Sequence, residues 1–327
     1  LQHSNWIGAW ERRLRLDFCR AKRIARKVKQ EGQTLVFSWS ERIGIPLAYF
    51  LEPSVRHITL LHKPLSPFKL SLVKNLGVFR RWDRMLTFSQ AEAAALQTAL
   101  GARPGHLRPL PWGVDTDFYR PLDAPIDESA KPHILSIGVC NRDYPTLIEA
   151  MRRLPQVECH ICATSAWAGH GDSLDPGKLP PNVRLKHYDH PAEIREAYAR
   201  CRFVVIPMQQ ATAQWSAGCT SVLQPQAMGK PVVATHLPGL AEYLRNGQTG
   251  MLVDGGNPEA LAEAIASLWN DPQRAAEMGA RAREWVVEDR SFDSAIAAIA
   301  ELMQEVAQDE SAVDRARRAA APPGTQR

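Results

Sequence analysis

Short apolar runs alternate with amphipathic stretches along most of this chain. In the second half, "HILSIG" at 133–138 leads to "TLIEAMRRL", then "VECHICA", "VRLKHY" at 183–188, "PAEIREAYARC" and "FVVIPM" at 203–208. Strands separated by helices argue for parallel α/β architecture. The first third repeats the pattern, with strands expected at 34–39 ("TLVFSW"), 57–62 ("HITLLH") and 84–89 ("RMLTFS"). Helices are expected from about Trp10 to Lys29 and again after Ser89, whose hydroxyl can cap "QAEAAALQTAL". The stretch 108–122, "RPLPWGVDTDFYRPL", is rich in Pro and turn residues and reads as a linker. The expected organisation is an N-terminal domain over 1–107, the linker, a C-terminal domain over 123–307 and a disordered tail over 308–327. The cleft between the two halves is the expected place for a ligand.

The chain has 327 residues, 45% apolar and 23% charged, enough for two ordinary globular domains. No apolar run approaches the 18 residues that a membrane span needs. Six cysteines, Cys19, Cys140, Cys159, Cys162, Cys201 and Cys219, are dispersed through apolar runs. That pattern fits free thiols in a reducing compartment, so the expected location is cytoplasmic. "CHIC" at 159–162 invites a metal reading, but an alternating strand places Cys159 and Cys162 on opposite faces, and no second pair matches it. The charge is uneven. Between Glu11 and Gln30 lie nine cations, Arg12, Arg13, Arg15, Arg20, Lys22, Arg23, Arg26, Lys27 and Lys29. They read either as a solvated helix face or as a peripheral contact with anionic lipid at the inner face of a membrane. No aromatic-interleaved basic strand accompanies them, so nucleic acid is not expected.

Three stretches carry candidate chemistry. In "SIGVCNRDYPTLIEA" at 136–150 a strand ends at Gly138, and a loop with Asn141, Arg142 and Asp143 leads to a helix near Pro145. An arginine and backbone N–H groups at a helix start can hold an anion, with a diphosphate the natural candidate. The alternative is an exposed Arg142–Asp143 loop pair. In "SAGCTSVLQPQAMGKPVVAT" Gly218, Cys219 and Thr220 stand where a backbone could approach phosphate, with Gln224 further along and Glu242 in the next turn. Pro225 suits only the first turn of a helix, so the helix is expected to start near Gln224, with 221–223 extended. In the first half, His62 and Lys63 follow one strand and Ser40 and Glu41 another. A strand-end His can serve a ligand or the structure, and Ser40 could simply cap a helix favoured by Glu41.

These motifs, with "GLAEYLRNGQTGMLV" and "NPEALAEAIASLW" in the same order, resemble the family-4 group of retaining glycosyltransferases. The resemblance is dense from about 108 to 290 and thinner before that. It implies the GT-B fold, two Rossmann-like domains facing across a cleft, and transfer from a nucleotide-diphosphate sugar without metal or other cofactor. Arg142 occupies the position that contacts the donor diphosphate, while Val139 stands where a second Arg is frequent. The family's two glutamates, eight positions apart, fall on Ser216 at the donor sugar and Gln224 at the ribose hydroxyls. A neutral amide still offers a carbonyl acceptor there. His62 matches the strand-end His that touches the donor sugar. The resemblance thus implies a catalytic set of His62, Arg142 and Ser216. It implies donor contacts at Gly138, Asn141, Arg142, Gly218, Cys219, Thr220, Gln224 and Glu242, and acceptor-side candidates at Ser40, Glu41 and Lys63. The expected acceptor is a carbohydrate, a lipid-linked glycan or a small molecule. The glycine-rich loop usual at the family's N-terminus is not visible, so it lies upstream of Leu1 or the domain is reduced. Two other readings stay open: a catalytically silent GT-B scaffold, and a sugar-nucleotide epimerase or hydrolase. A nicotinamide oxidoreductase is disfavoured, because no GxGxxG follows a first strand.

Overall fold

The computed structural model describes residues 11, 13–63, 67–122, 131–163, 174–210 and 215–309. The chain forms two compact units, Leu1–Pro111 with Ile296–Arg327, and Trp112–Ala295. Most of the stretch expected as a linker therefore belongs to the second unit.

In the first unit, β1 (Leu35–Ser38), β2 (Arg56–Leu60), β3 (Arg84–Thr87) and β4 (Leu107–Pro109) form a parallel sheet in that order. The helices α1 (Phe18–Gln30), α2 (Glu41–Phe50), α3 (Pro67–Asn75) and α4 (Gln90–Leu100) supply the crossovers and flanks. The expected helix from Trp10 does not run through as one element. The backbone turns at Arg15 (φ 51°), and Asp17 starts α1 by accepting from the Arg20 N–H. An aspartate satisfies an orphan helix donor better than it continues a helix. Trp10 and Arg12 of that expectation lie outside the described residues. The core gathers Ile45, Val78, Trp82, Met85 and Leu96. A polar seam crosses it, where His57 Nε2 lies 2.9 Å from Ser38 Oγ, and Ser38 Oγ 2.9 Å from Thr59 Oγ1. Gly44 permits this packing, since a Cβ there would sit 2.3 Å from Thr59 Oγ1.

The second unit holds β5 (His133–Ile137), β6 (Glu158–Cys162), β7 (Val183–Leu185), β8 (Val204–Ile206), β9 (Val232–Thr235) and β10 (Gly250–Val253). All pair in parallel in the order β10-β9-β8-β5-β6-β7. The helices are α5 (Tyr144–Arg152), α6 (Pro191–Arg200), α7 (Cys219–Ala227), α8 (Pro258–Trp269) and α9 (Pro272–Asp289), and α10 (Phe292–Gln308) starts at the end of this unit. Because successive strand side chains alternate, the apolar strands feed two cores. Val204, Ile206 and Val232 pack on one face with Tyr198 and Val222. Val205 and Val233 pack on the other with Leu147 and Ile265. Cys162 enters the first core and Cys159 the second, on opposite faces of β6.

The helix α7 begins at Cys219, not near Gln224, and residues 221–223 are helical. Gly218 sets the start by adopting φ 90°, which glycine alone reaches without strain. Pro225 sits within the helix and removes one N–H from its ladder, and α7 ends two residues later.

Candidate functional site

The strand order of the second unit reverses between β5 and β8, since β6 and β7 extend one way and β8, β9 and β10 the other. Ligands of open parallel sheets sit beyond the carboxyl ends of strands at such a point. Here the loops after β5 and β8 are laced together there. Arg142 forms an antiparallel bridge with Met208, the Asp143 N–H donates to Pro207 O at 3.0 Å, and the Gln209 N–H to Asn141 O at 2.9 Å.

Arg142 itself is only 7% exposed. Its Nε donates to Ile137 O at 3.0 Å, its Nη1 to Cys140 O at 3.1 Å and Met208 Sδ at 2.8 Å, and its Nη2 to Ser221 Oγ at 2.8 Å. Every acceptor is neutral, and no ion pair joins Arg142 to a carboxylate among the described residues. Burial pulls the guanidinium's pKa down, but an arginine stays charged. The alternative of an exposed Arg142–Asp143 pair is overturned, because Asp143 turns away to cap α5, accepting from Thr146 N at 3.2 Å and Thr146 Oγ1 at 2.7 Å. The Thr146 N–H at the start of α5 is thereby taken, and a carboxylate stands beside it. Gly138 has φ 114°, and a Cβ there would lie 2.3 Å from Arg142 Nη2, so only glycine leaves room for the guanidinium. The guanidinium has five N–H donors, of which four are used, leaving one on Nη2.

The start of α7 supplies what α5 does not. It carries no side-chain cap, and the N–H groups of Thr220 and Ser221 meet no acceptor among the described residues. Ser221 joins the two halves of the site by accepting from Arg142. Gln224, three residues on, shares the Ser221 face of the helix. Its Oε1, the atom expected to accept from a ligand, instead accepts from Tyr198 Oη at 3.2 Å. Gly218 packs close to the same arginine, since a Cβ there would be 3.3 Å from Nη1. Cys219 is buried and Thr220 exposed in the first turn. Ser216 is 2% exposed in the turn before α7, and its carbonyl accepts from the Cys219 N–H at 3.2 Å. Asn141 takes φ 54° beside Arg142, and Glu242 is half-buried on the short turn Leu240–Tyr243 beyond β9. Sequence reasoning missed Ser221, set aside as extended chain, and Tyr198, which carried no signal beyond its place in an amphipathic helix.

The first unit has its own strand-end cluster. His62 Nε2 lies 2.6 Å from Trp39 O and donates to it, since a carbonyl oxygen only accepts. The ring packs edge-on to Phe88. Glu41 is 3% exposed, pairs with Lys69 and accepts from the His62 N–H at 2.9 Å. Burial pushes its carboxyl up, but Lys69 and the backbone donor outweigh that and hold it below the ordinary value. Ser40 caps α2 by accepting from the Arg42 N–H at 3.2 Å, and Lys63 is exposed.

Two Rossmann-like units, one with a buried arginine over its switch point, define the GT-B class of fold. Residues 127–285 match the family model described as Glycosyl transferases group 1. Among solved structures, a glycosyltransferase from Rickettsia africae superposes with a TM-score of 0.72 at 18% identity, over 88% of this chain and 81% of that one. The Anabaena protein HepE, solved with UDP and glucose, gives a TM-score of 0.70 at 21% identity, over 86% and 80%. The chain is 37% identical over 216 residues to a GDP-mannose-dependent alpha-(1-6)-phosphatidylinositol monomannoside mannosyltransferase of Mycobacterium tuberculosis, covering 60% of this chain and 55% of that protein. It is 27% identical over 258 residues to a D-inositol 3-phosphate glycosyltransferase of Segniliparus rotundus, covering 73% and 56%. The chain thus spans a little over half the length of these curated relatives.

Proposed function

We propose that the protein is a retaining glycosyltransferase that moves a sugar from a nucleotide-diphosphate sugar to a hydroxyl of an acceptor in glycan, polysaccharide or glycolipid synthesis. The observation that carries this reading is Arg142, a buried cation with neutral partners only. A buried ion without a counter-charge costs several kcal/mol. An entering diphosphate would offset that cost, and the Thr220 and Ser221 N–H groups add helix-terminus donors to the same anion. In the reaction, the bond from the anomeric carbon to the diphosphate breaks, and the acceptor hydroxyl oxygen bonds the same face of that carbon. The acceptor's proton passes to the departing phosphate oxygen. Arg142 and the start of α7 stabilise charge on the leaving group, which is where this chemistry needs it. The positive charge is supplied by the chain, so the reaction is proposed to run without metal. His62, whose Nδ1 makes no hydrogen bond among the described residues, is assigned to the donor sugar, and Gln224 to the ribose. Two relatives named for inositol-containing acceptors support an acceptor with a polyol or polyol lipid.

The test is a thermal-shift panel of UDP-, GDP-, ADP- and TDP-sugars with and without EDTA. One donor should raise the melting temperature in both conditions, since a ligand that binds the native state stabilises it. No shift with any donor would overturn the reading and favour a silent scaffold.

A second contact is proposed for α1. Its Ala21, Ala25 and Val28 face inward, while Arg20, Lys22, Arg23, Arg26, Lys27 and Lys29 are exposed. Arg20, Lys27 and Lys29 lie within ion-pair range of Asp17, Glu31 and Glu52. The other three cations are available to anionic lipid at about 1 kcal/mol each. Sedimentation with phosphatidylserine vesicles at low salt should capture the protein, and phosphatidylcholine vesicles should not. Equal behaviour in the two would sink the idea.

A further inference from the structure

Tyr198 lies on α6, is fully buried, and among the described residues has one hydrogen-bond partner for its phenol, Gln224 Oε1 at 3.2 Å. A buried hydroxyl without an acceptor costs most of its desolvation, so the phenol must donate. Burial also raises its pKa well above the usual phenol value, which keeps the proton on the oxygen. The amide oxygen is the acceptor within reach, and this fixes which way the amide turns. With Oε1 inward, Nε2 points away from Tyr198, and among the described residues it has no partner. Gln224 is partly exposed and shares the helix face of Ser221, which holds Arg142.

We propose that Tyr198 is a positioning residue that turns the Gln224 amide so that its N–H donors, not its oxygen, face the nucleotide ribose. The inference rests on the reading of this site as nucleotide-binding. A glutamate at this position would behave differently. It would take the phenol on one oxygen and still offer the second as an acceptor to a ribose hydroxyl. The glutamine site therefore asks the ribose oxygen to accept, and the carboxylate site asks the hydroxyl to donate. Ribose analogues with fluorine in place of a hydroxyl separate the two, because fluorine is close in size and cannot donate.

The experiment is calorimetric titration of the whole protein with UDP, GDP, ADP and TDP, then with the 2′-fluoro and 3′-fluoro analogues of whichever binds. In the unmodified protein each fluoro analogue should bind within about 10-fold of its parent, the loss of one neutral hydrogen bond. In Gln224→Glu, discrimination at the contacted hydroxyl should rise about 10-fold or more, because a charge-assisted bond is then lost. Tyr198→Phe should free the amide to turn its oxygen outward. Discrimination should then rise about 3-fold while the parent nucleotide keeps its affinity within the same factor. A packing role for Tyr198 would instead weaken parent and analogue equally. Rejection of the fluoro analogues by more than about 30-fold in the unmodified protein, or an unmoved ratio in Tyr198→Phe, overturns the amide orientation alone. If no unmodified nucleotide binds, the nucleotide reading falls and takes this inference with it.

Discussion

Glu41 in the first unit and Arg142 in the second are both buried beside the carboxyl end of a parallel strand, and the two are treated in opposite ways. Glu41, just past β1, is closed off by Lys69 and by the His62 N–H. Arg142, past β5, is surrounded by two carbonyls, a thioether and a hydroxyl. A buried ion pair whose lone pairs are satisfied is complete and shapes its loop. A buried cation with neutral partners only is complete when an anion arrives. On the proposed reading the distinction separates a structural charge from a binding one within a single chain, and it is open to direct challenge.

The largest effect is expected at Arg142. Arg142→Ala should lower affinity for the bound nucleoside diphosphate about 100-fold or more, close to 3 kcal/mol, measured by calorimetry. Because Arg142 also laces two loops, Arg142→Lys should accompany it and retain part of the affinity as a point charge. Unchanged affinity in both variants would erase the contrast with Glu41. The complementary change is Lys69→Met, which leaves Glu41 buried without its cation. Denaturant unfolding should show a loss of about 3 kcal/mol, with nucleotide affinity intact. A drop in affinity without a drop in stability would place Glu41 on the binding side instead.

Acid provides a smaller and separate handle. His57, 1% exposed in the first unit, has its pKa depressed by burial to about 3 from the ordinary 6.5. The unfolded chain therefore takes up a proton below 6.5 that the folded chain refuses. Stability should fall as pH drops from 6.5 towards 3, at up to about 1.4 kcal/mol per pH unit. Glu41 acts lower. Its folded pKa is depressed, so its contribution is present above the ordinary 4.5 and is lost as pH falls through the depressed value. In the second unit, burial lowers the stacked pair His133 and His160, and their loss has the same sign as that of His57. His57→Gln should flatten the slope between pH 6.5 and 5 in melts followed by circular dichroism. A slope identical to that of the unmodified protein would show that His57 is not the group responsible.

What could be read from the sequence follows from how local each determinant is. The parallel strands were legible because "HILSIG" and "FVVIP" carry their own apolar pattern, and Ser89 announces α4 by capping it. The position of Arg142 was legible too, but its burial was not. Whether a loop arginine is exposed depends on Met208 and Ser221, which lie 66 and 79 residues away. The start of α7 misled for a related reason. Pro225 signalled a boundary locally, yet Gly218 and the packing of Val222 and Leu223 determined where the helix begins. The orientation of the Gln224 amide was beyond reach, since it is settled by a tyrosine on another helix.

The smallest effect tests the joint between the two halves of the anion site. Ser221 accepts from Arg142 through Oγ, and its own N–H, with that of Thr220, meets no acceptor among the described residues. Ser221→Ala removes the first role and leaves the second, because the backbone donor survives the substitution. One hydrogen bond to a charged donor is lost, about 1.5 kcal/mol, and the guanidinium gains a second unused N–H. Nucleotide affinity should fall about 10-fold, roughly a tenth of the loss expected from Arg142→Ala, with no change at acid pH in the first unit. If Ser221→Ala weakened binding as much as Arg142→Ala, the serine and not the arginine would be the principal anion contact. Glu41 and Arg142 would then no longer make an informative pair. If it had no effect, the guanidinium would be held by its carbonyl partners alone, and the contrast between the two buried charges would rest on Arg142 by itself.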